Sequence, residues 1–312
     1  MNSFEYFILQ LRIMELSDLH IFRTVVRAGG INRAAEQLHR VQSSVTVRVR
    51  KLEESLGVEL FVREGKRLQL SPAGKTLLGY ADRLLDLAEE ARGALHGSEP
   101  RGKLKLGTME STAAARLPGP LTEFHQRYPQ VTVELSTSDP QTLMTRVLAG
   151  ELDAALVAEP VVDGRLATLV AFEEQLVIVA DAEHPPIATA GDITRPTLLA
   201  FHPGCPYRKR LEDWFAGNGV LPERVVEMSS FHALLGCTVA GMGVALMPRS
   251  VLDTYTEQAR LSIHPLTGAF KTAKVLLVWR RDTPQAKVSA LAQVLAPAAF
   301  ASAEDPRLPA SA

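Results

Sequence analysis

Between Gln42 and Lys51 the chain reads QSSVTVRVRK, and these side chains are of the types that can read and hold DNA. Gln42, Ser43, Ser44 and Thr46 can hydrogen-bond base edges. Arg48, Arg50 and Lys51 can pair with phosphates, and Val47 can pack on a thymine methyl. The competing reading is an ordinary amphipathic surface helix. A second group of chemistry-bearing residues lies downstream. Ser111-Thr112, Ser136-Thr137-Ser138 and the run HPGCPY at 202–207 each follow an apolar, strand-like run and open a helix-like one. Hydroxyls beside free backbone N–H groups at a helix start suit an anion, and ligands of open α/β layers gather at the carboxyl ends of strands. A small anionic metabolite is the expected ligand class, set against plain helix capping. Phe231 is either a cleft wall or a core residue. Cys205 sits at a helix start, where a thiolate is stabilised. The other cysteine is distant Cys237, so a passive pocket or loop thiol is expected. His202-x-x-Cys205 offers half a metal site and no second half, so neither metal nor cofactor is expected.

The elements that must position the first group are legible. Val45, Val49, Leu52 and Leu56 form an apolar stripe at helical spacing, leaving the polar residues outside. Upstream, Ser17–Arg27 reads as a helix capped by Ser17, with Leu19, Phe22 and Val26 inside, ended by Gly29-Gly30. Asn32 is expected to cap a short helix, Arg33–Leu38, in which Ala34 and Ala35 permit close packing. After a turn at His39–Val41 comes the helix from Gln42, the layout of a helix-turn-helix. Leu60–Val62 and Leu68–Leu70 then read as strands of a hairpin whose tip carries Arg63, Lys66 and Arg67 around Gly65. Beyond it, Leu77, Ala81, Leu84, Ala88, Ala91 and Leu95 follow the 4-3-4-3-4 spacing of a coiled-coil seam. The alternative is a helix packed on its own domain.

Composition agrees with a two-part chain. Of 312 residues 46% are hydrophobic, enough for a folded core in each part. Residues 1–75 carry twelve Lys/Arg against eight Asp/Glu, a net +4, while the whole chain stands at −1, leaving −5 for the rest. A basic head on an acidic body fits a nucleic-acid module joined to another domain. Two distant cysteines suit a reducing compartment, and no apolar run is long enough to span a membrane, so the cytoplasm is expected. The expected division is 1–15 a short extension, 16–74 the DNA-binding head, 75–96 a linker and dimerisation helix, and 97–103 a hinge. Residues 104–300 follow as an α/β regulatory domain, and 301–312 as a tail. Within 104–300, strands and helices alternate in two sets. Pro118 and Pro120 are expected to distort the first part of a helix opening at Ser111-Thr112 and carrying Leu117, Leu121, Phe124 and Tyr128. No G-x-S-x-G, phosphate-binding Gly-rich loop or H-E-x-x-H occurs, so an enzyme is not expected.

From Ala28 to Gly74 the ordered set Ala34-Ala35, Leu38, Gln42, Val45-Thr46, Leu52-Glu53, Leu56-Gly57, Leu60-Phe61, Arg63 and Ser71-Pro72-Ala73-Gly74 resembles the N-terminal domain of LysR-type transcriptional regulators. The resemblance extends through residues 104–157 and the run AGMGVALMP, covering about 16–296. Val41 and Val47 depart from the commonest pattern, where a Ser and an Arg or other polar residue are frequent. The resemblance implies that Gln42, Ser43, Thr46 and Val47 face bases and that Arg63 in the wing faces the backbone, with Asn32, Ser44, Arg48 and Arg50 completing the DNA contact. It implies a fold of α+β two-domain type, with a winged helix-turn-helix, a linker helix and a hinged, two-lobed, periplasmic-binding-protein-like α/β domain. The last strand and helix would return to the first lobe. It also implies promoter DNA, a small-molecule effector and RNA polymerase as partners, a homodimer or homotetramer paired through the linker helix, and no membrane. Ser111, Thr112, Thr137, Ser138, Cys205, Tyr207 and Phe231 are the expected effector site. The rival reading is an α/β binding protein or enzyme whose head serves only assembly.

Overall fold

The structure is a computed structural model that describes residues 14–64, 67–95, 99–194, 196–282 and 286–297. The chain divides into two compact units, 1–98 and 99–312. The expected extension, the wing-tip residues Gly65 and Lys66, and the tail lie outside the described residues.

The first unit opens with helices α1 (Leu16–Ala28), α2 (Ile31–Gln37) and α3 (Gln42–Leu56). Ser17 does not cap α1 and Asn32 does not cap α2. Each is already inside its helix, and Glu15 and Gly30 hold the cap positions without side-chain bonds. Helix α2 begins earlier than expected because Ile31 packs on the head's core, and α1 begins at Leu16, which is itself exposed. Between α2 and α3 the chain turns through His39 at φ 52°, a left-handed residue where a glycine is commoner. Val45, Val49, Ala34, Ala35, Ile21 and Val25 then close one core. Strands β1 (Phe61–Glu64) and β2 (Arg67–Leu70) pair antiparallel, with Phe61 opposite Leu70. The Glu53 carboxylate accepts the Leu60 and Phe61 N–H groups at 2.8 and 3.2 Å, fixing the wing to the end of α3.

Helix α4 (Pro72–Leu95) starts at Ser71, whose hydroxyl donates to Glu59 O at 2.6 Å and accepts from Gly74 N at 2.9 Å. Its first half packs on its own unit. Ala81 and Leu85 are buried with Leu19, Phe22, Leu52 and Leu60, and Leu77 and Leu78 lean on the same cluster. Leu77 and Ala81, expected on a seam, therefore belong to the head's core. The exposed apolar residues are Tyr80, Leu84 and Leu87. Spacing alone did not separate the two stripes, because a leucine-rich helix carries apolar residues on two adjacent faces.

The second unit is built on a seven-stranded sheet ordered β10 (Leu261–Pro265), β6 (Leu166–Asp181), β11 (Thr272–Arg280), β5 (Ala154–Ala158), β3 (Gly102–Thr108) and β4 (Val131–Thr137), with β9 (Ala245–Pro248) also on β6. Strands β3 (Gly102–Thr108), β4 (Val131–Thr137) and β5 (Ala154–Ala158) are mutually parallel around β3. Helices α5 (Glu110–Ala115), α6 (Pro118–Arg127) and α7 (Pro140–Leu148) connect them. The helix expected to run on from Ser111 is two helices, since Pro118 has no N–H to continue the ladder and starts a new one. Strand β6 (Leu166–Asp181) is long enough to serve both lobes. Leu166 to Gln175 pairs with β11 (Thr272–Arg280) of the first, and Leu176 to Asp181 pairs with β9 (Ala245–Pro248) and β10 (Leu261–Pro265) of the second. The second lobe adds the parallel pair β7 (Thr197–Ala200) and β8 (Arg224–Glu227), with helices α8 (Pro206–Gly217), α9 (Phe231–Val239) and α10 (Arg249–Leu252). Strand β11 and the last helix, α11 (Ala286–Leu295), return to the first lobe, where Leu277 and Leu291 join Leu104, Leu106 and Phe124 in its core. Ile178, Leu198, Leu211, Phe215 and Met247 fill the other. The structure thus has the expected winged head, linker helix and two-lobed domain.

A Cβ built on Gly74 would lie 2.1 Å from the Leu60 carbonyl oxygen. Gly74→Ala should therefore cost the head about 1–3 kcal/mol by overpacking, read as a lowered urea midpoint for its unfolding.

Candidate nucleic-acid interface and effector cleft

In the first unit α3 separates its residues by burial. Val45 and Val49 are buried, while Val47 is 63% exposed and Val41, just before the helix, 69%. Gln42, Ser43 and Arg50 are exposed beside Val47, and Ser44 and Thr46 are half-buried. The Thr46 hydroxyl donates back to Gln42 O at 3.0 Å, so a base edge meets it as an acceptor. Asn32 is exposed on α2. Arg48 corrects the expectation. It turns toward α1, where its Nη2 donates to Ser17 Oγ at 2.5 Å, and its Nε lies 2.5 Å from the buried Asp18 carboxylate. The Nε–Asp18 angle misses hydrogen-bond geometry, yet at this distance the attraction holds the side chain against the head. Arg48 thus fixes α3 on α1 and is not free for DNA. Arg63 lies in β1, and its side chain falls outside the described residues.

In the second unit one cavity of about 470 Å³ gathers the separate loops. Ser111, Thr137, Ser138, Cys205, Tyr207 and Phe231 all line it, although they come from four chain segments. Thr112 does not. It is 1% exposed, and its Oγ1 has no hydrogen-bond partner. The starts of α5, α7, α8 and α9 converge on the cavity because each follows a strand's carboxyl end or a short loop from one. The Phe201 and Phe231 rings pack with centroids 4.7 Å apart, tilted by 59°, on one wall. Tyr207 is 4% exposed and its hydroxyl is unpartnered. Ser111 is close enough to act on that phenol but misses hydrogen-bond geometry. Burial raises the Tyr207 phenol, the Glu174 charge adds to the rise, and Ser111 opposes it.

His202 and Pro206, within the expected run at 202–207, line it too, but sequence reasoning missed Met109, Glu110, Asp139, Pro140, Phe201 and Ser229. Glu110 directly precedes Ser111, and that adjacency at a strand end was the available signal. Burial pushes the Glu110 carboxyl up, against the Phe231 N–H and His232, which pull it down. Burial also raises Asp139, but hydrogen bonds from Thr142 and Ser138 outweigh it, and the carboxyl ends below its ordinary value. Burial raises the Cys205 thiol by more than the Arg208 and Tyr207 N–H groups at the α8 start lower it.

Comparison with known proteins gives the class. Residues 16–75 match the family model described as bacterial regulatory helix-turn-helix protein, lysR family, and residues 97–299 match the LysR substrate binding domain. The chain belongs to the LysR family of transcriptional regulators. It is a DNA-binding transcriptional regulator with an effector-binding domain and not an enzyme. The uncharacterized HTH-type transcriptional regulator YusT of Bacillus subtilis is 38% identical over 271 residues, 86% of this chain and 91% of that one. The HTH-type transcriptional regulator GltR of the same species is 34% identical, over 86% and 92%. Among solved structures, CbnR, a LysR family transcriptional regulator, aligns over 92% of this chain and 99% of its own, with TM-score 0.61 and 23% identity. A full-length OxyR variant from Pseudomonas aeruginosa aligns over 90% and 97%, with TM-score 0.66 and 24% identity. No helix among the described residues is long and apolar enough to cross a membrane.

Tyr207→Phe removes a buried hydroxyl that has no partner in the ligand-free protein. The variant should gain about 1 kcal/mol of stability, since an unsatisfied buried polar group carries a cost of that order, and chemical denaturation without ligand measures it.

Proposed function

We propose that the N-terminal half of α3 enters the major groove of promoter DNA. Gln42, Ser43, Ser44, Thr46 and Val47 face the bases there, while Arg50 and the wing residue Arg63 hold phosphates and Asn32 lies beside the backbone. The observation that carries this reading is the exposure of Val47 and Val41 beside a polar surface, while the opposite stripe of the same helix is fully buried. An exposed valine among base-reading side chains has a use against a thymine methyl and none against water. The regulator works as a homodimer, or a homotetramer built from dimers, paired through α4. The paired stripe is Tyr80, Leu84, Leu87 and Ala91, with spacing 4-3-4. Of the seam first expected, Leu84 and Ala91 remain exposed on that face, Ala88 borders it, and the side chain of Leu95 lies outside the described residues. Two heads then read two half-sites, and the bound complex acts on RNA polymerase in the cytoplasm.

The effector occupies the cavity between the lobes, against Ser111, Thr137, Ser138, Cys205, Tyr207 and Phe231. Closure of the lobes on it shifts the population of DNA-bound arrangements. Residues 16–74 are the head, 75–96 the linker, 97–103 the hinge and 104–300 the effector domain.

Fluorescence anisotropy with DNA from the promoter of its own gene tests the reading face. Gln42→Ala should cost about 1–3 kcal/mol at one base position. Arg50→Ala should lower the slope of log K against log salt by about one, with no change of sequence preference. Unchanged affinity in both removes α3 from the interface. For pairing, Leu87→Asp should give a monomer in sedimentation equilibrium while leaving the head folded, because Leu87 is exposed and outside its core.

A further inference from the structure

The cavity's lining holds two kinds of polar group. The first is hydroxyls and helix N-termini. Tyr207 lines the cavity with an unpartnered hydroxyl although it is almost wholly buried, and Ser111 stands beside it. The start of α8 supplies no side-chain oxygen as a cap, since Cys205 occupies that position. An unbonded phenol in a dry site is a donor awaiting an acceptor, and the helix start adds partial positive charge. A carboxylate satisfies both.

The second is acids. Glu110 and Asp139 line the cavity, and among the described residues no lysine or arginine does. Asp139 is occupied by its own helix, accepting from Thr142 N at 2.9 Å and from Ser138 Oγ. Glu110 is half-buried and receives only partial compensation, from the Phe231 N–H and from His232. A purely anionic ligand would bring a further negative charge into a cavity whose described lining has no lysine or arginine to balance Glu110. A cation alone would leave the Tyr207 hydroxyl unmet. Met109, Phe201 and Phe231 add apolar surface to the lining, suited to a hydrocarbon or aromatic side chain.

Resting on the reading of this cavity as the effector site, we infer that its ligand is a small zwitterion of the amino-acid type. The carboxylate accepts from the Tyr207 and Ser111 hydroxyls near the α8 start, the ammonium pairs with Glu110, and the side chain lies on the apolar wall. This narrows the anionic class expected from the hydroxyl-rich loops, because the fold adds a half-buried acid to the same lining.

The test is a thermal-shift series on the full chain with matched probes. These are the twenty proteinogenic amino acids, the 2-oxo acid of each where it is stable, which keeps the carboxylate and loses the ammonium, and the corresponding decarboxylated amines. At millimolar concentration at least one amino acid should raise the melting temperature by several degrees. Its oxo acid and amine should each bind at least tenfold more weakly in calorimetry. Glu110→Gln should erase the preference for amino acid over oxo acid, and Glu110→Asp should keep part of it. An oxo acid that stabilises as well as its amino acid overturns the zwitterion while leaving the cleft an effector site. A panel without any response overturns it as well, and DNA binding by the head remains a separate measurement. Unchanged discrimination in a folded Glu110→Gln removes Glu110 from the site.

Discussion

Glu174 is 2% exposed and sits within β6, the strand that both lobes share. A carboxylate so placed is tolerated only with partners. Arg116, following α5 in the first lobe, grips both its oxygens at 2.9 Å through Nε and Nη2. Ser250, on α10 of the second lobe, donates to it at 2.8 Å. One buried charge therefore ties the two lobes to their common strand. Removing Arg116 would strand the charge at a cost of about 3 kcal/mol, the lower end for a buried pair, because the guanidinium remains about a third open to water. The same carboxylate reaches the Tyr207 phenol electrostatically, so the joint between the lobes and the floor of the cavity share one field.

The cavity follows from this arrangement. Strands β3, β4 and β7 end on it from both lobes, and the helices after them begin there, so its lining is rich in backbone N–H groups and poor in cationic side chains. The helix starts come from the fold, and the two acids beside them come from the sequence. Phe201 and Phe231 give it an apolar wall at little entropic cost, since each aromatic side chain has few rotamers to lose.

In the head, packing decides which polar residues remain for DNA. Arg48 and Arg50 look equivalent in sequence, but a helix sets them about 200° apart, and Asp18 captures the inward one. Glu53 performs a similar internal task at the other end of α3, holding the wing by its backbone. Charged residues on a recognition helix are thus divided between building the head and addressing the nucleic acid.

The sequence by itself determined the helix-turn-helix, the bounds of α3, most strands of the α/β layers and the loops that carry the cleft's hydroxyls. These rest on local periodicity and on strand-to-helix junctions, which are short-range properties. It missed β10, the full length of β6 and the break before Pro118. It also misplaced the caps at Ser17 and Asn32, whose types suit caps but whose neighbours extend the helices past them. Tertiary structure alone decided that Ala81 faces the head's core while Leu87 stays exposed, that Arg48 is spent on Asp18, and that Glu110 and Tyr207 line one cavity. Those outcomes depend on which surfaces meet, and contacts between residues distant in the chain leave no periodic trace in it.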